Sequence, residues 1–243
     1  MGDLSGKVVL VTGASGGIGR AVARACRLQG AALALHYHRD ASGARELAKL
    51  LGPDAAAFRA DLSRPGASKT LIAAVLRRFG RLDVLVNNAG AVIGEKDFLA
   101  MPEKDWEATL RLNLQAPFFL AREAFRTMRA RGGRIVNVSS IAVKFGGSDR
   151  SIHYAAAKAG LEATTVALAR FGAARGILVN TVRPGVIDTP FHDKSKKNMT
   201  ERVAKIPLKR MGRPEEVARA VVFLAGPGGD FVTGQILSVT GGE

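Results

Sequence analysis

The chain reads as an α/β protein: a single domain built on a doubly wound parallel sheet of about seven strands, with helices on both faces. Three observations lead there. Short apolar runs rich in β-branched residues recur from end to end, the composition of strands buried on both faces. Longer stretches of helical character separate them, and regular β-α alternation implies right-handed crossovers onto one sheet. No linker, repeat or low-complexity segment interrupts the 243 residues, enough for one such domain with a large core.

The elements follow in order. Val8–Thr12 reads as the first strand. It runs into Gly13-Ala-Ser15-Gly16-Gly17-Ile18-Gly19, and Arg20–Cys26 then has the composition of a helix. Further strands are predicted near Ala31–His36, Ala55–Ala60, Val84–Asn87, Arg134–Ser139, Ile177–Val182 and Gln235–Val239. Helices are predicted over Ala41–Leu51, Ser68–Phe79, Pro117–Arg131 and Tyr154–Ala174. Sheets of this kind take ligands outside the carboxyl ends of their strands. Gly13–Gly19, Asp61, Asn87–Gly90, Ser139–Ser140 and Pro184–Thr189 all fall at such ends.

Composition narrows the function classes. Apolar residues make up 47% of the chain, yet no apolar stretch approaches the roughly 20 residues a membrane span needs. The start, Met1-Gly-Asp-Leu-Ser-Gly-Lys7, lacks a secretory pattern. The one cysteine, Cys26, reads as a buried structural thiol and suits a reducing cytoplasm. The net charge of +15 raises nucleic acid as a partner. The basic residues are spread out, however, with no aromatic-interleaved patch, so no nucleic-acid role is expected. Arg122, Arg126, Arg129, Arg131 and Arg134 read as a solvated helix end. From Lys194 to Arg213, eight cations (Lys194, Lys196, Lys197, Arg202, Lys205, Lys209, Arg210, Arg213) face Glu201 alone. The four histidines, at 36, 38, 153 and 192, have no metal-ligand spacing with cysteines or carboxylates, so no metal is expected.

Two motifs carry chemistry. The glycines at 13, 17 and 19 permit a tight turn and close approach of backbone amides to a phosphate at a helix N-terminus. Their spacing differs from Gly-x-Gly-x-x-Gly. Tyr154 and Lys158 lie four apart and share a helix face. A phenol with pKa near 10 is a weak acid-base group at neutral pH, and lowering it about three units takes roughly 4 kcal/mol. A cation at about 4 Å supplies that at an effective dielectric near 20, but only about 1 kcal/mol in water. The pair is therefore useful inside a cleft, where Lys158 is expected to bring the tyrosine down.

Together Thr12-Gly-x-x-x-Gly-x-Gly19, Asp61-Leu62, Asn87-Asn-Ala-Gly90, Asn113, Ser140, Tyr154-x-x-x-Lys158 and Pro184-Gly185 resemble the short-chain dehydrogenase/reductase family over nearly the whole chain, from Lys7 to Gly242. The resemblance implies a Rossmann-like fold and hydride exchange between a nicotinamide and a carbonyl or secondary alcohol. It assigns Tyr154 as proton donor and acceptor and Ser140 as hydrogen-bond donor to the reacting oxygen. It has Lys158 lower the tyrosine pKa and hold the nicotinamide ribose, and Asn113 position a water for proton return. Ser140 precedes Tyr154 by 14 residues where 13 is commoner in the family; the extra residue is placed in Lys144–Arg150, beside the substrate. For the cofactor, the resemblance implies Gly13, Ser15, Gly16, Gly17, Ile18 and Gly19 at the phosphates, with Asp61 and Leu62 at adenine. Asn88, Ala89 and Gly90 would pass under the adenosine ribose. Pro184, Gly185, Ile187 and Thr189 would stand at the nicotinamide.

After the second strand stand Tyr37, His38 and Arg39 where NAD enzymes carry an acid. A guanidinium there suits a 2′-phosphate, although Asp40 follows directly and opposes it. NADPH is the expected cofactor and NAD the less favoured one. The family's lid follows Thr189-Pro190, which here is Phe191 to about Lys209, the basic stretch. Such a lid would attract an anionic substrate or acidic acyl carrier protein, and Ile206–Val217 and Val232–Gln235 resemble 3-oxoacyl-acyl-carrier-protein reductases. Sugar, polyol or other small-alcohol dehydrogenases of the same family remain open, as does a dinucleotide-binding sensor without catalysis. The resemblance further implies a homotetramer, or a dimer, with contacts through Pro117–Arg131 and Tyr154–Ala174.

Overall fold

A computed structural model describes residues 2–94, 96–191 and 199–243. Strand β1 (Val8–Val11) is buried at every position because helices cover both sides. Val9 and Val11 point into one core, Val8 and Leu10 into the other, as the two-residue strand period requires. Next come α1 (Gly17–Leu28), β2 (Ala32–Tyr37), α2 (Ala41–Leu51), β3 (Ala55–Arg59), α3 (Ala67–Phe79) and β4 (Val84–Asn87). After them lie α4 (Glu103–Leu110), one π-type turn (Arg111–Gln115), α5 (Ala116–Met128), β5 (Gly133–Val138), α6 (Ala142–Phe145) and α7 (Ile152–Ala173). The chain closes with β6 (Ile177–Pro184), α8 (Met199–Ala204), α9 (Pro214–Ala225) and β7 (Ile236–Val239).

The seven strands form one parallel sheet in the order β3-β2-β1-β4-β5-β6-β7, as the apolar runs predict. The order reverses between β1 and β4, and that is where a crevice opens at the carboxyl edge. One core sets Val22, Ala23 and Cys26 of α1 against Val217, Val221 and Leu224 of α9. The other sets Leu71 and Val75 of α3 and Leu120 and Phe125 of α5 against Leu85 and Ile135. Cys26 is fully buried and burial pushes its thiol up to about 12, so it is an inert packing residue.

The differences from expectation have physical reasons. Helices α4 and α9 fall where no helix is predicted. Only Thr109 of α4 is buried, so it shows no apolar stripe. Helix α9 does carry a start signal, since Pro214 occupies its first turn and Glu216 accepts from the Arg213 N–H at 2.7 Å. The arginine cluster after position 121 is more than a solvated helix end. Arg122 and Arg126 both pair with Glu123, a buried carboxylate held below its usual range by these partners despite desolvation, while Arg134 on β5 reaches Asp230 at 2.6 Å. Among the described residues no helix is long and apolar enough to cross a membrane, and no group of three metal-ligating side chains occurs.

Candidate active site at the strand ends

The glycine turn follows β1 directly. Gly13 and Gly17 have φ of 65° and 53°, a region that costs glycine little. A methyl on Gly19 would lie 2.1 Å from the Gly13 carbonyl oxygen and 2.6 Å from Asn88 Nδ2, so only glycine fits there. Gly16 has open space beside it, and α1 begins with no side-chain cap and no acid in its first turn. Its free amides and positive dipole end therefore face the crevice. Ser15, Gly17 and Ile18 line the same turn, half-buried. His36, which sequence reasoning passes over, accepts from Gly13 N–H through Nδ1 at 3.1 Å and reaches the Ala60 carbonyl through Nε2 at 3.1 Å. Burial lowers its pKa to about 4, so it stays neutral and can accept that bond. Asn88 bonds Thr12 and Gly13, and Ala89 N–H donates to Thr12 Oγ1, tying the turn to the end of β4.

The second half of the crevice is set by one face of α7. Tyr154 lies beside Ser140, whose hydroxyl is near enough to favour the phenolate and itself accepts from Ala142 N–H at 3.2 Å. Lys158 Nζ donates to the Val138 carbonyl at 2.8 Å and sits 5.7 Å from the Tyr154 ring centroid. Asn113 lies in the π-type turn, fully buried; its Oδ1 accepts from Ala91 N–H and its Nδ2 donates to the carbonyls of Ala91 and Thr109. A methyl on Gly90 would come within 2.6 Å of Asn113 Oδ1 and 3.2 Å of Lys158 Nζ. Tyr154, Lys158, Ser140, Asn113 and Gly90 thus converge.

The electrostatics correct one expectation. Burial pushes the Tyr154 phenol up to about 12, the neighbouring Ser140 hydroxyl opposing, and pushes Lys158 down to about 8. In the free chain the loss of water around the phenol, which raises its pKa, outweighs the lowering by Ser140. At neutral pH the tyrosine is a protonated donor.

At the far end of the crevice, Asp40 caps α2, accepting from Gly43 N–H at 2.9 Å and Ser42 at 3.3 Å. Its charge is thus engaged by the helix, whereas Arg39 is exposed and makes no ion pair among the described residues. Asp61 accepts from Ser63 through Oδ1, and its Oδ2 meets Arg64 at 3.2 Å and His38 at 3.7 Å; the Ser63 hydroxyl is the main cause holding it below its usual range. Leu62 is buried beside it. Past β6, Gly185 N–H bonds the Val239 carbonyl, and Pro184 and Ile187 are buried. The Ile187 side chain would meet a methyl on Gly212 at 2.6 Å, so Ile187 turns mainly backbone to the crevice. A methyl on Gly17 would touch Thr189 at 3.4 Å, which sets that loop beside the glycine turn.

The ring of Phe191 stands 6.1 Å from that of Tyr154. Residues 192–198, with His192, Lys194, Lys196 and Lys197, lie outside the described residues. The rest of the expected lid is docked: Ile206 is buried, Leu208 N–H bonds Gly241, and Arg202 pairs with Glu243. Arg210 pairs with Glu216 at 2.7 Å. Arg213 pairs with the same Glu216 at 4.0 Å, so three of the eight cations are answered by acids that follow the stretch. Lys144–Arg150, the site of the extra residue, forms the end of α6 and a loop with Gly146 and Gly147 at positive φ.

Residues 13–243 match the family model described as enoyl-(acyl carrier protein) reductase. The chain is 38% identical to a 3-oxoacyl-[acyl-carrier-protein] reductase of Vibrio cholerae over 99% of its own length and 98% of that protein's. It is 41% identical to a nodulation protein G of a Rhizobium species, over 100% and 98%. A crystal structure of a blue fluorescent protein from a metagenomic library, in complex with NADPH, superposes with a TM-score of 0.93 at 37% identity, covering 99% and 98%. The chain belongs to the short-chain dehydrogenase/reductase family. It is an NAD(P)-dependent oxidoreductase acting on CH-OH and C=O groups. Ser139, Glu162 and Arg183, which no motif marks, form a bonded cluster in the segments that carry Ser140, Tyr154 and Pro184.

The buried lysine gives a stability signature. Below about pH 8 both folded and unfolded chains carry the Lys158 ammonium, and the burial penalty is fully present. Between about 8 and 10.5 the unfolded state binds more protons, so stability rises with pH from this group. The gain is at most on the order of 3 kcal/mol. Tyr154 acts oppositely from about 10 to 12, where only the unfolded phenol ionises. Urea unfolding of wild type and Lys158→Met at fixed protein concentration is expected to show the wild type gaining on the variant from pH 7.5 to 10. Parallel profiles would mean the ammonium is not destabilised by burial.

Proposed function

We propose that the chain is an NADPH-dependent reductase of 3-oxoacyl thioesters, the acyl group being carried on acyl carrier protein. The observation carrying the reaction is the convergence of buried Tyr154 and Lys158, 5.7 Å from ring centroid to ammonium, beside Ser140 and Asn113. As roles, Ser140 orients the substrate carbonyl oxygen and Tyr154 donates its proton to that oxygen as charge develops there. Lys158 stabilises the phenolate left behind, and Asn113 holds the route by which the proton is restored. When bound, the nicotinamide supplies the hydride. A phenol with a raised pKa fits the reductive direction, because an alkoxide is a stronger base than a phenolate and takes the proton readily.

The residues present fit the dinucleotide. Gly13, Ser15, Gly16, Gly17, Ile18 and Gly19 would hold its phosphates at the uncapped α1 end. Asp61, Leu62, Asn88, Ala89 and Gly90 would flank the adenosine, and Lys158, Pro184, Gly185, Ile187 and Thr189 the nicotinamide half. Arg39, with His38, would meet the 2′-phosphate, an assignment supported by Asp40 being engaged at the α2 N-terminus and by the NADPH-bound relative.

The substrate class is supported by the Vibrio cholerae relative. Exposed Lys205 and Lys209 would contribute to attracting an acidic carrier. The outer faces of α5 and α7, with Phe118 and Phe171 exposed, would make the subunit contacts of a homotetramer.

Turnover of an acetoacetyl thioester, followed by loss of NADPH absorbance, tests the reading. Tyr154→Phe is expected to lower kcat by roughly 10²–10⁴-fold with folding retained; near-normal turnover would overturn the assignment. Arg39→Ala is expected to weaken NADPH binding roughly tenfold, the scale of one charge-assisted contact, and to leave NADH little changed. Equal loss for both cofactors would refute the 2′-phosphate role. Raising salt is expected to slow a carrier-linked substrate more than a neutral N-acetylcysteamine thioester. Equal salt dependence would remove the carrier from the proposal.

A further inference from the structure

Glu162 lies two turns beyond Tyr154 and one beyond Lys158 on the same face of α7, 7% exposed. Its Oε1 accepts from Ser139 Oγ at 2.7 Å and from Arg183 Nε at 2.8 Å, and its Oε2 accepts from Arg183 Nη2 at 2.5 Å. Ser139 immediately precedes Ser140, and Arg183 immediately precedes Pro184. The Pro184 carbonyl accepts from Ile141 N–H at 2.8 Å. The carboxylate thus joins three chain segments: the middle of α7, the residue after β5, and the end of β6.

A buried ion pair contributes little to net stability, because desolvation offsets most of the attraction, and apolar side chains of similar size usually do as well. What this pair supplies is geometry. The Arg183 contacts are bidentate and directional, and they leave the Oε1 lone pair turned toward Ser139. We propose that Glu162 is a positioning residue for the proton-donating pair. Through Ser139 it fixes Ser140 against Tyr154, and through Arg183 it fixes the start of the 184–189 loop. Without the tether, the 139–142 segment keeps its backbone bonds to Val182 and Pro184 but loses its side-chain attachment to α7 at Ser139. Catalytic groups need placement within about 0.5 Å, and a shift near 1 Å costs up to about 10²-fold in rate.

The inference rests on the reading that Tyr154 and Ser140 act on the substrate oxygen. It is tested with Glu162→Ala, Glu162→Gln, Ser139→Ala and the Ser139→Ala/Glu162→Ala double variant in the full chain, measuring kcat, KM for thioester and NADPH, and thermal midpoint. Glu162→Ala is expected to lower kcat roughly 10–100-fold with both KM values within about threefold. Glu162→Gln, which retains an Oε1 acceptor, is expected to recover most of kcat. Ser139→Ala is expected to lower kcat in the same direction, and the double variant to lose no more than Glu162→Ala alone. A lowered thermal midpoint with unchanged kcat, or losses that multiply in the double variant, would overturn the proposal. Amide hydrogen exchange on the free Ser139→Ala chain, which needs no turnover, is expected to quicken at Ile141 and Ala142 and not along Gly133–Val138; unchanged exchange at both would also overturn it. Should the wild type turn over no thioester, the reductase reading fails, and exchange still decides whether the tether exists.

Discussion

The contact on which the site depends is the grip of α7 on the end of β5. Tyr154, Lys158, Glu162 and Thr165 recur at helical spacing on one face. Lys158, Glu162 and Thr165 bond the Val138 carbonyl, Ser139 and Asn137, and Tyr154 lies beside Ser140, so the face meets four consecutive residues of one chain segment. Thr165 passes the connection on to Thr181 of β6 at 2.8 Å, and Glu162 does so through Arg183. Close approach is possible because α7 carries small residues: a methyl on Gly160 would lie 2.9 Å from Leu114, and one on Gly172 2.3 Å from the Ile177 carbonyl. The same approach sets the π-type turn beside α7, so that Asn113 and Lys158 meet at Gly90.

That frame explains how an uncomfortable site persists. Lys158 is nearly buried with a backbone carbonyl as its hydrogen-bond acceptor, and Tyr154 is buried beside it. Both are pushed toward their neutral forms, a sign of stored desolvation cost. Sites where local rules are broken are commonly functional ones, with the cost met by the surrounding structure. Here the surroundings are two well-filled cores and a seven-stranded sheet.

Most of the fold was legible because its signals are local. β-branched runs, glycine turns and helical stretches each declare themselves within a few residues, and the site motifs fall at the strand ends those signals define. Helix α4 was not legible, having almost no buried face. Glu162, Ser139 and Arg183 escaped for another reason: they are 21 to 23 residues apart where their bonds form. Only the β5–β6 register, with Val138 opposite Val182, brings them together. Charge was misleading in the same way at Arg202, which looks unanswered locally but pairs with Glu243, 41 residues on. The lowered phenol was expected because attraction can be counted from spacing, whereas desolvation depends on everything packed around the pair.

That last difference bears on direction. Oxidising an alcohol asks the tyrosine to begin as a phenolate, and burial makes this form costly in the free chain. Reduction asks it to begin protonated and to become a phenolate only as the substrate oxygen gains charge. Desolvation penalises the charged form at the start of the first process and at the end of the second. In reduction the Lys158 ammonium is attracted to the new phenolate at a moment when there is no water to screen it. The buried arrangement that makes a phenolate costly at rest also strengthens the attraction of the Lys158 ammonium for a phenolate formed beside it.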